Sequence, residues 1–172
     1  MGRERRPHIG IFGRRNNGKS TLINFLAGQD IAIVSDVAGT TTDPVKKSFE
    51  ITGFGPVILI DTAGIDDTGE LGEKRITKTN QIIKIIDLAV LVITQNTFGD
   101  FELGLIDNFN KQNIPFITIH NKEDIEILNQ QTTDLLKQYG SKDILHFSNC
   151  KANIEPIVKS IKITIPESAY TT

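Results

Sequence analysis

One short stretch constrains this chain more than any other: Gly13-Arg14-Arg15-Asn16-Asn17-Gly18-Lys19-Ser20. It matches G-x-x-x-x-G-K-S/T, the P-loop pattern. An apolar run, His8-Ile9-Gly10-Ile11-Phe12, precedes it and reads as a strand, and residues 20–26 follow and read as a helix. Strand, glycine loop and helix in that order are the context the motif requires. The glycines let backbone N–H groups converge on a phosphate chain. The helix N-terminus adds partial positive charge at the same place. Lys19 would reach the β- and γ-phosphates, and the Ser20 hydroxyl would bind Mg²⁺. The stretch therefore implies a nucleoside triphosphate ligand and leaves the base and its fate open.

The rest of the chain alternates apolar runs with amphipathic ones. Residues 45–52, 56–61, 88–93, 114–119 and 144–148 read as further strands, and 74–86, 101–109, 130–139 and 153–163 as further helices. Ile76, Ile82, Ile83 and Ile86 are the expected apolar face of the second helix. The run Leu88-Ala89-Val90-Leu91-Val92-Ile93 has no polar alternation, which predicts burial on both faces. The pattern predicts an α/β fold: a mostly parallel six-stranded sheet with helices on both faces. Two long polar stretches, 29–44 and 62–73, follow a helix and a strand, and ligand loops of such sheets gather at the strands' carboxyl ends.

Three further motifs carry chemistry. Asp61-Thr62-Ala63-Gly64 closes a buried run. An Asp there can hold Mg²⁺ through water, and Gly64 lets its N–H approach a γ-phosphate. Asn121-Lys122-Glu123-Asp124 follows another buried run. Guanine presents N1–H and an exocyclic amine on one edge, and an ionised Asp124 is acceptor-only and can take both. Adenine lacks that donor pair, so the carboxylate discriminates against it. Asn121 can tie loops together or serve the N7/O6 side, and the stem of Lys122 can cover the base. Gly39-Thr40-Thr41-Thr42-Asp43-Pro44 offers a threonine hydroxyl to Mg²⁺. Thr41 is the candidate ligand, with Thr40 and Thr42 as alternatives.

Composition removes other classes. At 172 residues the length suits one domain, and a net charge of −2 gives no support for broad electrostatic binding of nucleic acid. The single cysteine, Cys150, rules out an internal disulfide and is expected to be a small buried hydrophobe. No apolar run approaches the ~20 residues of a membrane span, so a cytoplasmic setting without membrane contact is expected. The basic cluster Arg3, Arg5, Arg6, Arg14 and Arg15 reads as solvated charge near a phosphate site, with a partner or RNA contact as the alternative. His120 reads as a packed strand-end residue, and Asp66, Asp67, Glu70 and Glu73 as a solvated acidic loop, with partner recognition or cation coordination as the alternative.

In this order the motifs resemble the Ras-like G domain of translation-factor-class GTPases. Asn16 and the threonine run before Asp43 are similar to the TrmE–Era–EngA–septin branch. Within it, Arg14-Arg15-Asn16-Asn17, Thr40-Thr41-Thr42-Asp43-Pro44 and the segment from Asp61 to Gly72 resemble the FeFe-hydrogenase maturation GTPase, the HydF type. The resemblance implies a G domain over residues 1–165, with 166–172 a linker or truncated end. It also implies GTP and GDP contacts from Asn16, Asn17, Gly18, Lys19, Ser20, Thr21, Asp61, Gly64, Asn121, Lys122, Asp124, Ser148 and Asn149. The family's dimerisation domain and 4Fe–4S domain would lie outside this chain, which holds no cluster. In the whole protein the implied partners are the apo-hydrogenase and radical-SAM maturases, with dimerisation through the absent domain. The competing readings are a ribosome-assembly or tRNA-modification GTPase of the same branch, and a module in which occupancy matters and hydrolysis is incidental.

Ras-like enzymes place a water-orienting Gln after Asp-x-x-Gly. Ile65 stands there and can neither donate nor accept, so unaided hydrolysis should be slow. The branch resemblance implies K⁺ held by Asn16, with Lys19, Thr41 and Gly64 completing the catalytic set.

Overall fold

The structure is a computed structural model that describes residues 6–28, 46–60, 62, 72–148 and 153–170, with 72–75 as backbone alone. The expected positions Thr40, Thr41, Thr42, Asp61, Gly64, Ile65, Asn149 and Cys150, and the acidic loop from Asp66 to Glu73, lie outside the described residues and side chains.

The apolar run around Val90 becomes β4 (Leu88–Thr94), buried at every position. It can lie only inside a sheet covered on both faces. The other strands are β1 (His8–Gly13), β2 (Lys46–Ile51), β3 (Gly55–Ile60), β5 (Phe116–Asn121) and β6 (Ile144–His146). They form one six-stranded sheet in the order β2-β3-β1-β4-β5-β6. All neighbours are parallel except the β2–β3 hairpin, which is antiparallel. The expected α/β architecture is therefore present.

Strand alternation sorts side chains into two cores. Ile9 and Ile11 of β1 and Val90 and Val92 of β4 meet Leu22 and Leu26 of α1 (Lys19–Ala27) and Ile157 and Ile161 of α5 (Glu155–Thr164). Phe12, Leu91 and Ile93 meet the opposite layer. That layer is α2 (Gly72–Ile83), α3 (Asp100–Lys111) and α4 (Gln130–Gln138). Phe109 of α3 anchors it, with ring centroids 5.1 Å from Phe12 and 5.4 Å from Phe116. Chain order reverses on either side of β1, and in open α/β sheets the ligand crevice lies at such a switch point. Among the described residues no helix is long and apolar enough to cross a membrane.

Three expectations need correction. Ile82, Ile83 and Ile86 are buried, but Ile76 is 56% exposed. It lines an open groove between α2 and α3 with Phe101 and Leu105 instead of joining the core. The second helix ends at Ile83, and Ile86 is buried in the connection that follows. The tail, expected to be a linker or a truncated end, is no linker over its described part: residues Glu167–Tyr170 form a 3-10 turn, Ala169 is fully buried, and Tyr170 stacks on Phe54 at 6.5 Å. Two apolar side chains among small and polar neighbours show no periodicity, yet they find the edge of the β2–β3 turn.

Candidate functional site

The P-loop leaves the centre of the sheet and turns back through two left-handed residues, Asn16 at φ 65° and Gly18 at φ 82°. Gly18 caps α1 without a side chain, and the first turn of the helix carries no acidic residue. The helix start is thus left for an anion. Ser20 and Thr21 are exposed on that turn. The Lys19 ammonium donates to the Gly13 carbonyl at the mouth of the loop.

The Asn17 side chain is turned into the protein. It is 6% exposed. Its Nδ2 donates to Val92 O at 3.0 Å, and its Oδ1 accepts from Thr94 Oγ1 at 3.1 Å. Its N–H donates to Arg14 O at 3.3 Å. The side chain is thereby committed to fastening the loop to β4, because a buried amide must satisfy its own hydrogen bonds. The buried Thr62 hydroxyl likewise donates to Ile11 O of β1.

Arg14 departs further from expectation. It is neither free surface charge nor directed at a partner. Its Nε and Nη2 donate to both oxygens of Glu102 on α3, each at 2.8 Å. Glu102 is fully buried, and its Oε1 also accepts the Gly99 N–H at 2.8 Å, closing the start of α3. The guanidinium lies 5.6 Å from the Phe101 ring centroid, within cation–π range. No spacing rule links positions 14 and 102, so sequence reasoning had no signal for Glu102.

The second loop comes from the end of β5. Asn121 is 4% exposed, and its Nδ2 donates to Asn17 O at 2.9 Å. Lys122 takes a left-handed backbone at φ 58°, and its Nζ donates to Asn16 O at 2.7 Å. These two residues latch the loop onto the P-loop, as expected for Asn121. Asp124 is exposed beside them, and Ser148 Oγ donates to its Oδ1 at 3.0 Å. Ser148 therefore orients the carboxylate.

Beneath this loop His120 is fully buried. Its Nε2 accepts the Asn96 N–H at 3.2 Å, so its proton sits on Nδ1 and is donated to Glu123. Burial holds its pKa below the ordinary histidine value, outweighing the neighbouring Glu123 carboxylate, which acts the other way. The imidazole is a neutral structural donor, as expected of a packed strand-end residue.

A P-loop on the central strand of a mostly parallel sheet, latched to an Asn-Lys-x-Asp loop, defines a P-loop GTPase G domain. The sequence profile of the family described as 50S ribosome-binding GTPase matches residues 8–122, more than half of the chain. The chain belongs to that family, as a G domain of the TrmE, Era and Der type, and is a GTPase. It is 41% identical over 119 residues to the tRNA modification GTPase MnmE of Chromobacterium violaceum, covering 69% of this chain and 26% of that protein. It is 41% identical over 124 residues to GTPase Der of Wolinella succinogenes, covering 68% of this chain and 26% of that protein. The chain thus spans about a quarter of the length of these relatives. Among solved structures, Era in complex with MgGDPNP and a 16S ribosomal RNA segment aligns with a TM-score of 0.69 and 27% identity, over 96% of this chain and 58% of that one. The G domain of the Thermotoga maritima FeoB iron transporter, at 20% identity and a TM-score of 0.64, covers 91% of this chain and 97% of that one and shares the fold.

Proposed function

We propose that this chain is the GTP-driven switch of a tRNA-modification or ribosome-assembly GTPase, with Asp124 reading guanine. The observation that carries the base-reading part is the latch: Asn121 and Lys122 bind the P-loop backbone and leave the next carboxylate exposed. The relatives' names support the RNA-linked branch over hydrogenase maturation. Arg14-Arg15-Asn16-Asn17 and the threonine run before Asp43 favour the maturation reading, which stands second. With a net charge of −2, this domain acts as timer, and RNA contact belongs to other parts of such a protein. In the gene's full product, GTP-dependent binding to tRNA or ribosomal RNA supports the first reading, and GTP-dependent binding to an apo-hydrogenase supports the second.

The residues present fit the nucleotide and its ions. Exposed Ser20 on an uncapped first turn supplies a hard oxygen ligand of the kind Mg²⁺ takes, with Asp61 and Thr41 as the other proposed ligands. Magnesium when bound neutralises charge on the β- and γ-phosphates. Lys19 adds a second cation there. Gly64 would offer its N–H to the γ-phosphate, and loss of that contact and of the proposed Thr41 ligand would be the switch. Asp124→Asn is expected to lose its preference for GTP over ATP, because an amide cannot accept from both guanine donors. Retained preference in competition binding would count against base reading.

Asn16, left-handed and exposed in the phosphate loop, carries a side-chain amide oxygen and is the proposed K⁺ ligand. Arg14 is held by Glu102 and is not directed at the phosphates, so it does not meet transition-state charge there. Turnover is expected to be faster in KCl than in NaCl for the native chain and equal in both for Asn16→Ala. Equal native rates in the two salts would refute potassium assistance.

A further inference from the structure

Glu123 and Asp124 are adjacent carboxylates with opposite fates. Asp124 is exposed, whereas the Glu123 side chain is 16% exposed and turned into the protein. Glu123 Oε2 accepts from buried His120 Nδ1 and, at 3.0 Å, from the Leu128 N–H. Its Oε1 lies 2.9 Å from His146 Nδ1 on β6. Its own N–H donates to Phe147 O at 3.2 Å, and the Phe147 N–H donates to His120 O at 2.9 Å. One side chain thus joins β5, β6 and the entry to α4.

The loop from 122 to 128 needs such an anchor. Its backbone curls back on itself, with Ile125 N donating to Lys122 O at 2.9 Å and Glu126 N to the same oxygen at 3.2 Å. Two of its apolar side chains give little hold, Ile125 at 62% exposed and Ile127 at 71%, and Leu128 packs on the core only at the loop's end. Asn96 holds the far end, donating to Glu126 Oε2 at 2.7 Å and Ile127 O at 2.9 Å. Glu123 is the anchor next to Asp124 along the chain, about 3.8 Å away from Cα to Cα, while Ser148 Oγ holds the Asp124 carboxylate itself at 3.0 Å.

We propose that Glu123 is a positioning residue for the base-reading carboxylate, sharpening discrimination by fixing the loop that carries Asp124 while Ser148 orients its carboxylate. The inference rests on the reading of Asp124 as the guanine contact. Its physical basis is that discrimination comes from leaving the site's polar groups unpaired with the wrong ligand. A carboxylate on a rigid loop cannot move to find water or a single donor, whereas one on a loose loop can. Glu123 touches no ligand and acts only through its neighbour.

The test compares GDP with IDP, whose base lacks the exocyclic amine and offers Asp124 one donor fewer. Competition against a fluorescent GDP gives both dissociation constants for the native chain, Glu123→Ala, Glu123→Gln and Asp124→Ala. Asp124→Ala should abolish the preference for GDP; if the preference survives, base reading by Asp124 fails and this inference with it. Given that control, Glu123→Ala should lower the GDP:IDP ratio about tenfold, with IDP affinity nearly unchanged. An equal weakening of both ligands, or an unchanged ratio, would show a merely structural role. Glu123→Gln keeps one acceptor oxygen for His120 and Leu128 but presents N–H groups toward His146, so it should fall between. If the Ala variant does not fold, the Gln variant decides: a lowered ratio supports the proposal, and a native ratio overturns it.

Discussion

Gly18→Ala is expected to weaken GDP binding roughly a hundredfold. A Cβ at this position would lie 2.3 Å from Asn121 Nδ2, a separation no real contact tolerates. The backbone there is left-handed at φ 82°, which costs a non-glycine residue about 1 kcal/mol before any clash. To relieve the overlap, Asn121 must withdraw and give up its hydrogen bond to Asn17 O. A buried amide left unpaired costs about 2 kcal/mol more. Together these make about 3 kcal/mol, roughly two powers of ten in affinity. The loss falls on ligand binding because the broken contact joins the phosphate loop to the base loop. Titration of a fluorescent GDP measures it directly. A dissociation constant within about threefold of native would show that the latch is dispensable.

Arg14→Ala is expected to destabilise the fold by about 3–5 kcal/mol, the range for stripping the partner from a buried charge. Glu102 is fully buried, while the Arg14 side chain is 27% exposed. The variant leaves Glu102 with the Gly99 N–H but without its bidentate partner. Arg14→Lys should lose part of that stability, since an ammonium cannot make the two parallel bonds seen here. Replacing both members, Arg14→Met with Glu102→Met, should recover most of it, because apolar groups of similar size carry no desolvation cost. Urea unfolding of the three variants checks the order. If Arg14→Ala unfolds within about 0.5 kcal/mol of native, the pair is not the buried lock described, since that is the range of an ordinary surface substitution.

These two residues also show what is legible in a sequence. Gly18 belongs to a pattern confined to neighbouring positions, and local spacing suffices to place it. The same holds for Asn121 to Asp124, and for β4, whose unbroken apolar run has no stable place outside a doubly covered sheet. Arg14 belongs to the same local pattern, yet its partner is 88 positions away. Nothing along the chain marks that pairing. Glu123 was unremarkable between Lys122 and Asp124 for the same reason: its ligands come from β5, β6 and the entry to α4. Ile76 carries the right helical spacing for the core but faces a groove, because α3 and not the sheet lies opposite it.

The sequence by itself determined the P-loop, the two-faced sheet and the class of ligand. Each follows from short-range chemistry, namely glycine conformations, strand hydrophobicity and the donor–acceptor match of a carboxylate to guanine. Only the tertiary structure decided which polar groups are left for the ligand. Asn17 and Arg14 stand inside the phosphate loop and are taken up by β4 and α3. Asp124 is left exposed because its neighbour Glu123 is turned inward and held. The reason is that each polar side chain has few hydrogen bonds to give, and burial commits them to whatever distant group the fold brings near.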